Sequence, residues 1–186
     1  MLKNLYSNPI PSCVRETISN AWDSHTAAGK QDTPIVVTAP TELDPTFTVQ
    51  DFGTGISPEK FKTVVTRIFC SDKTNSDDLI GGYGLGLKSP LAYTDQFTIT
   101  SVIDGWSRNY GCYISPTGKP MLSMFNEETT EAINGVTIKV PVKSEDIDDF
   151  HNAIKNTLTY FSNFKCNLTI TPVSYTHLTL PTIYSV

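Results

Sequence analysis

Asp51 ends a β-rich run, Phe47 to Gln50, and is followed by Gly53, Gly55 and then Ser57-Pro58, a helix start. A strand, a turn with two glycines and a helix within one short stretch leave the backbone few paths. Glycine permits close approach and left-handed dihedrals, so a carboxylate set at this turn stands where the chain can close around a ligand. The segment DFGTGIS (Asp51 to Ser57) lies between two others, RETISNAWDSH (Arg15 to His25) upstream and GGYGLGLKS (Gly81 to Ser89) downstream.

The surrounding pattern is legible. Val14, Ile18, Ala21 and Trp22 recur at helical spacing between about Pro11 and Ala28, with Gly29 as the stop. Ile35 to Thr38 and Phe47 to Gln50 read as strands across a Pro/Asp turn. Ser57 caps a second helix with Pro58 at its first position and Phe61, Val64, Val65 and Ile68 as its apolar stripe. Ser71 to Leu79 is polar and reads as a mobile loop, followed by a short helix near Leu87 to Tyr93. Strands are expected around Phe97 to Ile103, Trp106 to Ile114, Met121 to Phe125 and Val136 to Val140, in an antiparallel meander whose turns fall at Asp104-Gly105, Pro116 to Gly118 and Asn134-Gly135. Ser144 caps a last helix carrying Ile147, Phe150, Ile154, Leu158 and Phe161, and Asn167 to Thr171 reads as a final strand. Helices on one side of a mixed, largely antiparallel sheet make an α+β two-layer sandwich.

Glu16, Asn20 and Asp23 fall within an arc of roughly 60° on the first helix, opposite its apolar face. A carboxylate near an amide oxygen suits water activation beside Mg²⁺, a hard cation that takes oxygen ligands. An ionised Asp51 only accepts hydrogen bonds, so at a pocket floor it selects an exocyclic amine such as adenine's. Gly81, Gly82, Gly84 and Gly86 lead into Lys88 and a helix, an arrangement in which backbone N–H groups hold phosphate. Leu87 separates Gly86 from Lys88 and no strand precedes Gly81, which excludes a Walker A loop. Taken singly, each segment has a plainer reading: a solvated helix face, an Asp-Gly connection, a flexible hinge. Their order and combined chemistry favour an ATP pocket.

Assembled, these residues resemble the GHKL superfamily of ATPases, which includes DNA gyrase, Hsp90, MutL and histidine kinases. RETISNAWDSH is similar to its N box, DFGTGIS to its G1 box and GGYGLGLKSP to its G2 box. The resemblance implies a Bergerat-type fold, with Glu16 polarising the attacking water, Asn20 coordinating Mg²⁺ and Asp51, Gly53 and Gly55 at adenine. It also implies that Gly81, Gly82, Gly84, Gly86 and Lys88 lie at the phosphates. The family's Gly-Thr pair is interrupted here, since Val136 separates Gly135 from Thr137, and Thr137 is left out of the site.

LYSNPIPSCVRETISNAWDSH, SDKTNSDDLIGGYGLGLKSPLAYTDQFTI and the PVK after Val140 further resemble the bacteriophage rIIA rapid-lysis family, most specifically over Ile80 to Thr98. That resemblance implies a role in lysis control in the host cytoplasm, peripheral association with the host inner membrane and a phage protein partner; an ATP-dependent homodimer is a further expectation. The alternative reading is a nucleotide-gated interaction module that binds ATP-Mg²⁺ without useful turnover.

A net charge of −5 argues against a general grip on nucleic acid, and no apolar run reaches the roughly 20 residues of a membrane helix. Cys13, Cys70, Cys112 and Cys166 are scattered without metal-ligand spacing and read as reduced, packed thiols. The uncharged tail Val173 to Val186 includes VSYTHLTLPT, which resembles a translated transposase adapter. Residues 173–186 are therefore expected to be foreign, and residues 1–172 to be a GHKL-type ATP-binding domain from a longer protein.

Overall fold

The computed structural model describes residues 7–63 and 88–170, Lys88 by its backbone alone. Helix α1 (Pro9–Ala27) begins with proline at its first position, where a missing N–H costs nothing. It ends as the sequence predicts: Gly29 takes φ 66°, Gly29 N–H donates to Thr26 O at 3.1 Å, and Lys30 N–H donates to His25 O at 2.8 Å. These two bonds form a Schellman motif that satisfies two terminal carbonyls of the helix.

Strands β1 (Ile35–Thr38) and β2 (Thr46–Gln50) pair antiparallel. After the Asp51 turn, the segment 58–63 is helical, with Ser57 Oγ accepting Lys60 N–H at 3.3 Å. Phe61 stacks on Tyr110 with ring centroids 4.0 Å apart. Val64, Val65 and Ile68, the polar loop 71–79, Cys70 and the tail 173–186 lie outside the described residues.

Helix α2 (Lys88–Tyr93) leads into β3 (Gln96–Ile103), β4 (Trp106–Ile114) and β5 (Pro120–Thr129), followed by β6 (Gly135–Pro141). Asp104 at φ 53° and Gly105 at φ 76° make the two-residue hairpin turn between β3 and β4. A short 3₁₀ turn (Ser144–Asp146), helix α3 (Ile147–Leu158) and β7 (Phe164–Cys166) complete the order.

The seven strands form one sheet in the order β5-β4-β3-β6-β2-β1-β7, antiparallel throughout except for the parallel β1–β7 pair. The expected α+β two-layer sandwich is therefore observed. Three details differ from expectation. The meander holds for β3, β4 and β5, but β6 crosses back to lie between β3 and β2, because Val136, Ile138 and Val140 complete the apolar face of the central strands. The last strand is Phe164–Cys166, and Asn167 instead mimics a strand residue, accepting Ala39 N–H at 2.7 Å and donating to Ala39 O at 3.1 Å. Ser144 opens the 3₁₀ turn, and no side chain caps α3.

The core lies between the helices and one sheet face. Val14 and Ile18 of α1 and Phe150, Ile154 and Leu158 of α3 are wholly buried, as are Ile35, Phe47 and Val140 from the strands. Phe150 packs on Phe47 and Tyr93, with ring centroids 5.6 and 4.9 Å away. Cys13 and Cys112 are buried within this core, and burial pushes both thiols up to about 12. Edge strand β5 exposes Met121, Met124 and Phe125, yet carries Pro120, a bulge and glutamates, devices that discourage pairing with another chain. Among the described residues, no helix is long and apolar enough to cross a membrane.

Candidate functional site

The turn after β2 is fastened from four directions. Asp51 N–H donates to Val136 O of β6 at 2.9 Å, continuing the β2–β6 ladder by one bond. From α1, Ser24 Oγ donates to Asp51 Oδ1 at 2.9 Å, and Phe52 N–H donates to His25 Nε2 at 2.7 Å. Beyond the helix, Lys30 Nζ donates to Phe52 O at 2.7 Å. From β3, the fully buried Ser101 hydroxyl accepts Ile56 N–H at 2.8 Å and donates to Ile56 O at 3.0 Å.

The glycines have local causes. A Cβ on Gly53 would overlap Ser24, and Gly55, at φ 71°, sits against the Val102 carbonyl. Both absences let the turn press onto α1 and β3. Gly135 acts in the same way from β6, where a Cβ would overlap the Asp51 carbonyl oxygen.

Asp51 is only 6% exposed. Its Oδ1 accepts from both Ser24 Oγ and Gly53 N–H, each at 2.9 Å, and the Val136 main-chain N–H also favours the carboxylate. Burial holds the Asp51 carboxyl above its usual range, opposed by the Gly53 N–H, the Ser24 hydroxyl and the Val136 main-chain N–H. A buried carboxylate clamped through one oxygen retains acceptor capacity for a donor supplied from outside.

Glu16, Asn20 and Ser24 follow one another at intervals of four on α1, so they form a single ridge. At 1.5 Å per residue, Asn20 stands about 6 Å and Glu16 about 12 Å along the helix axis from the serine that touches Asp51. Asn20 is half-buried, and Asp23 is exposed beside the ridge. Glu16 pairs with Arg15 at 3.4 Å, its side chain 41% exposed. A surface pair of this kind holds the carboxylate weakly.

Lys88 opens α2, but its side chain, together with Gly81, Gly82, Gly84 and Gly86, lies outside the described residues. Thr137 pairs with Gln50 and Thr100 in the pleat opposite the buried Val136 and Val140, on the sheet face away from the helices. Among the described residues, no group of three His, Cys, Asp or Glu gathers to cage a metal. A cation here would draw its ligands from Asn20, water and the phosphates of a ligand, a set that suits Mg²⁺. A separate cleft of about 730 Å³ between α1 and α3 is lined by Arg15, Ser19, Asn152, Asn156, Tyr160 and Phe161 and includes none of the turn residues.

Sequence reasoning passed over Ser24, His25, Lys30 and Ser101. Ser24 continues the Glu16-Asn20 interval of four, a signal present in the sequence. The other three join the turn through contacts across the fold that no local pattern announces.

A carboxylate at a strand end, a glycine turn bound to a helix that carries Glu and Asn, and helices on one face of a mixed sheet define an ATPase class of fold. Residues 7–117, more than half of the chain, match the profile of the histidine kinase-, DNA gyrase B- and HSP90-like ATPases. The chain belongs to that family. Among curated proteins no significant match is found.

Proposed function

We propose that this chain binds ATP with Mg²⁺ and hydrolyses it slowly. The observation that carries the reading is Asp51, buried and clamped through Oδ1 at the turn where α1 meets the sheet. In this reading Oδ2 accepts the adenine exocyclic amine, while Gly53 keeps the turn close to α1 and Gly55 keeps it close to β3. Asn20, one helical turn along, supplies an oxygen ligand to the cation. When bound, Mg²⁺ neutralises charge on the phosphates. Glu16, two turns along, orients the attacking water for in-line displacement at the γ-phosphoryl group. Gly81, Gly82, Gly84, Gly86 and Lys88 are assigned to the phosphates by the sequence resemblance.

The Arg15–Glu16 contact favours a second reading, because a carboxylate turned toward an arginine is a poorer water-orienting base. In that case the chain acts as a nucleotide-gated interaction module. Measuring ATP-Mg²⁺ affinity by calorimetry and phosphate release side by side separates the two. Hydrolysis predicts slow release that falls by about 10²-fold or more in Glu16→Gln while affinity stays near parental, the range for losing a positioned proton acceptor. Binding without release favours the gate, and unchanged turnover in the variant removes Glu16 from the chemistry.

A place in phage lysis control, with a host-membrane periphery and a phage protein partner, is supported only by the sequence resemblance, which is most specific over Ile80 to Thr98; an ATP-dependent homodimer is part of the same proposal. The cytoplasm of a host bacterium is the setting that the same resemblance implies.

A further inference from the structure

We infer that His25 and Lys30 form a positioning clamp on the Phe52 peptide that aims the Asp51 carboxylate, so that adenine recognition depends on the C-terminal end of α1. The inference rests on the adenine-reading role of Asp51 proposed above.

His25 is wholly buried, and both ring nitrogens are engaged. A backbone amide can only donate, so the 2.7 Å bond from Phe52 N–H requires Nε2 to be without a proton. The ring proton then sits on Nδ1 and is donated to Thr33 O at 2.9 Å. The partners thus select one neutral tautomer. Lys30 Nζ holds the other polar group of the same residue, Phe52 O, at 2.7 Å. The two arms share an origin, because the His25 main-chain carbonyl accepts Lys30 N–H at 2.8 Å in the helix-ending motif.

Both polar main-chain groups of the residue after Asp51 are therefore set by α1 and its C-terminal extension. A leucine would fill the same volume without burying polar nitrogens, so packing alone does not account for a histidine here.

The test uses the whole chain with His25→Leu, His25→Gln and Lys30→Met. In the ligand-free protein, hydrogen exchange followed by NMR reads the Phe52 amide: protected in the parent and in His25→Gln, whose amide oxygen can replace Nε2, and exchanging at least about tenfold faster in His25→Leu. Calorimetric titration with adenosine and, separately, with Mg²⁺-tripolyphosphate reads the purpose of the clamp. Losing one well-placed hydrogen bond predicts adenosine affinity about tenfold weaker in His25→Leu and in Lys30→Met, tripolyphosphate affinity within about twofold of the parent, and substantial recovery in His25→Gln. Equal losses for both ligands mean a merely structural role and overturn the proposal. So does parental adenosine affinity in His25→Leu and Lys30→Met, or a His25→Gln variant no better than His25→Leu. Should His25→Leu fail to fold, the partly exposed Lys30→Met decides alone. A parent that binds no adenosine overturns the nucleotide reading, and the clamp's purpose with it. A parent that binds adenosine while the variants bind equally overturns the clamp only.

Discussion

Asp51 illustrates how a functional group is placed at a cost to the fold. Its carboxyl lies above the ordinary value of 3.8, chiefly because burial disfavours the charged form. A group with a raised folded-state pKa contributes stability that is fully present below its unfolded pKa and lost as pH rises through the folded one. At neutral pH the ionised carboxylate is therefore a net burden. Asp51→Asn is expected to melt at the parental temperature or above it at pH 7, with the difference shrinking as the solution is acidified; a lower melting temperature at neutral pH would contradict this. Adenosine affinity of the parent should weaken on acidification with a midpoint above 3.8, since the protonated carboxyl loses its acceptor character. Adenosine is the better probe because it carries no titrating phosphate.

Elements meet at this site through glycines, and each glycine has its own reason. Gly29, at φ 66° with open space around it, is needed only for its left-handed backbone. Gly29→Ala should cost about 1 kcal/mol, the ordinary penalty for that conformation, read as a small drop in thermal midpoint. Gly135 has no room, since a Cβ would overlap the Asp51 main-chain oxygen and backbone cannot swing aside as a side chain can. Gly135→Ala should therefore destabilise more than Gly29→Ala and also weaken ATP binding; equal stability of the two variants would contradict the close approach. The helix stop at Gly29, the Ser57 cap and the Asp104-Gly105 hairpin were readable because their determinants lie within a few residues. His25 and Lys30 were not readable as turn ligands because their partner Phe52 lies 27 and 22 positions away and an interior histidine resembles any packed core residue.

At the scale of the whole molecule, the amphipathic patterns foretold the layers, and pairing across distance supplied what they could not. The return of β6 between β3 and β2, and the parallel seat of β7 beside β1, follow from which strands share an apolar face rather than from any turn signal. Phe150 ties α3 to that face and to α2, and Phe150→Ala should cost about 3–5 kcal/mol, measured by denaturant unfolding. The same arrangement brings the ridge of α1 against the turn at the end of β2, so that one face of one helix serves both ends of the proposed nucleotide site. Calorimetric titration of ATP-Mg²⁺ into the parent and into Asp51→Asn tests this most directly. The account predicts binding to the parent and about 10- to 100-fold weaker binding to the folded variant, the equivalent of about 1.5–3 kcal/mol for a lost charge-assisted hydrogen bond. Equal affinity in the two proteins would contradict it.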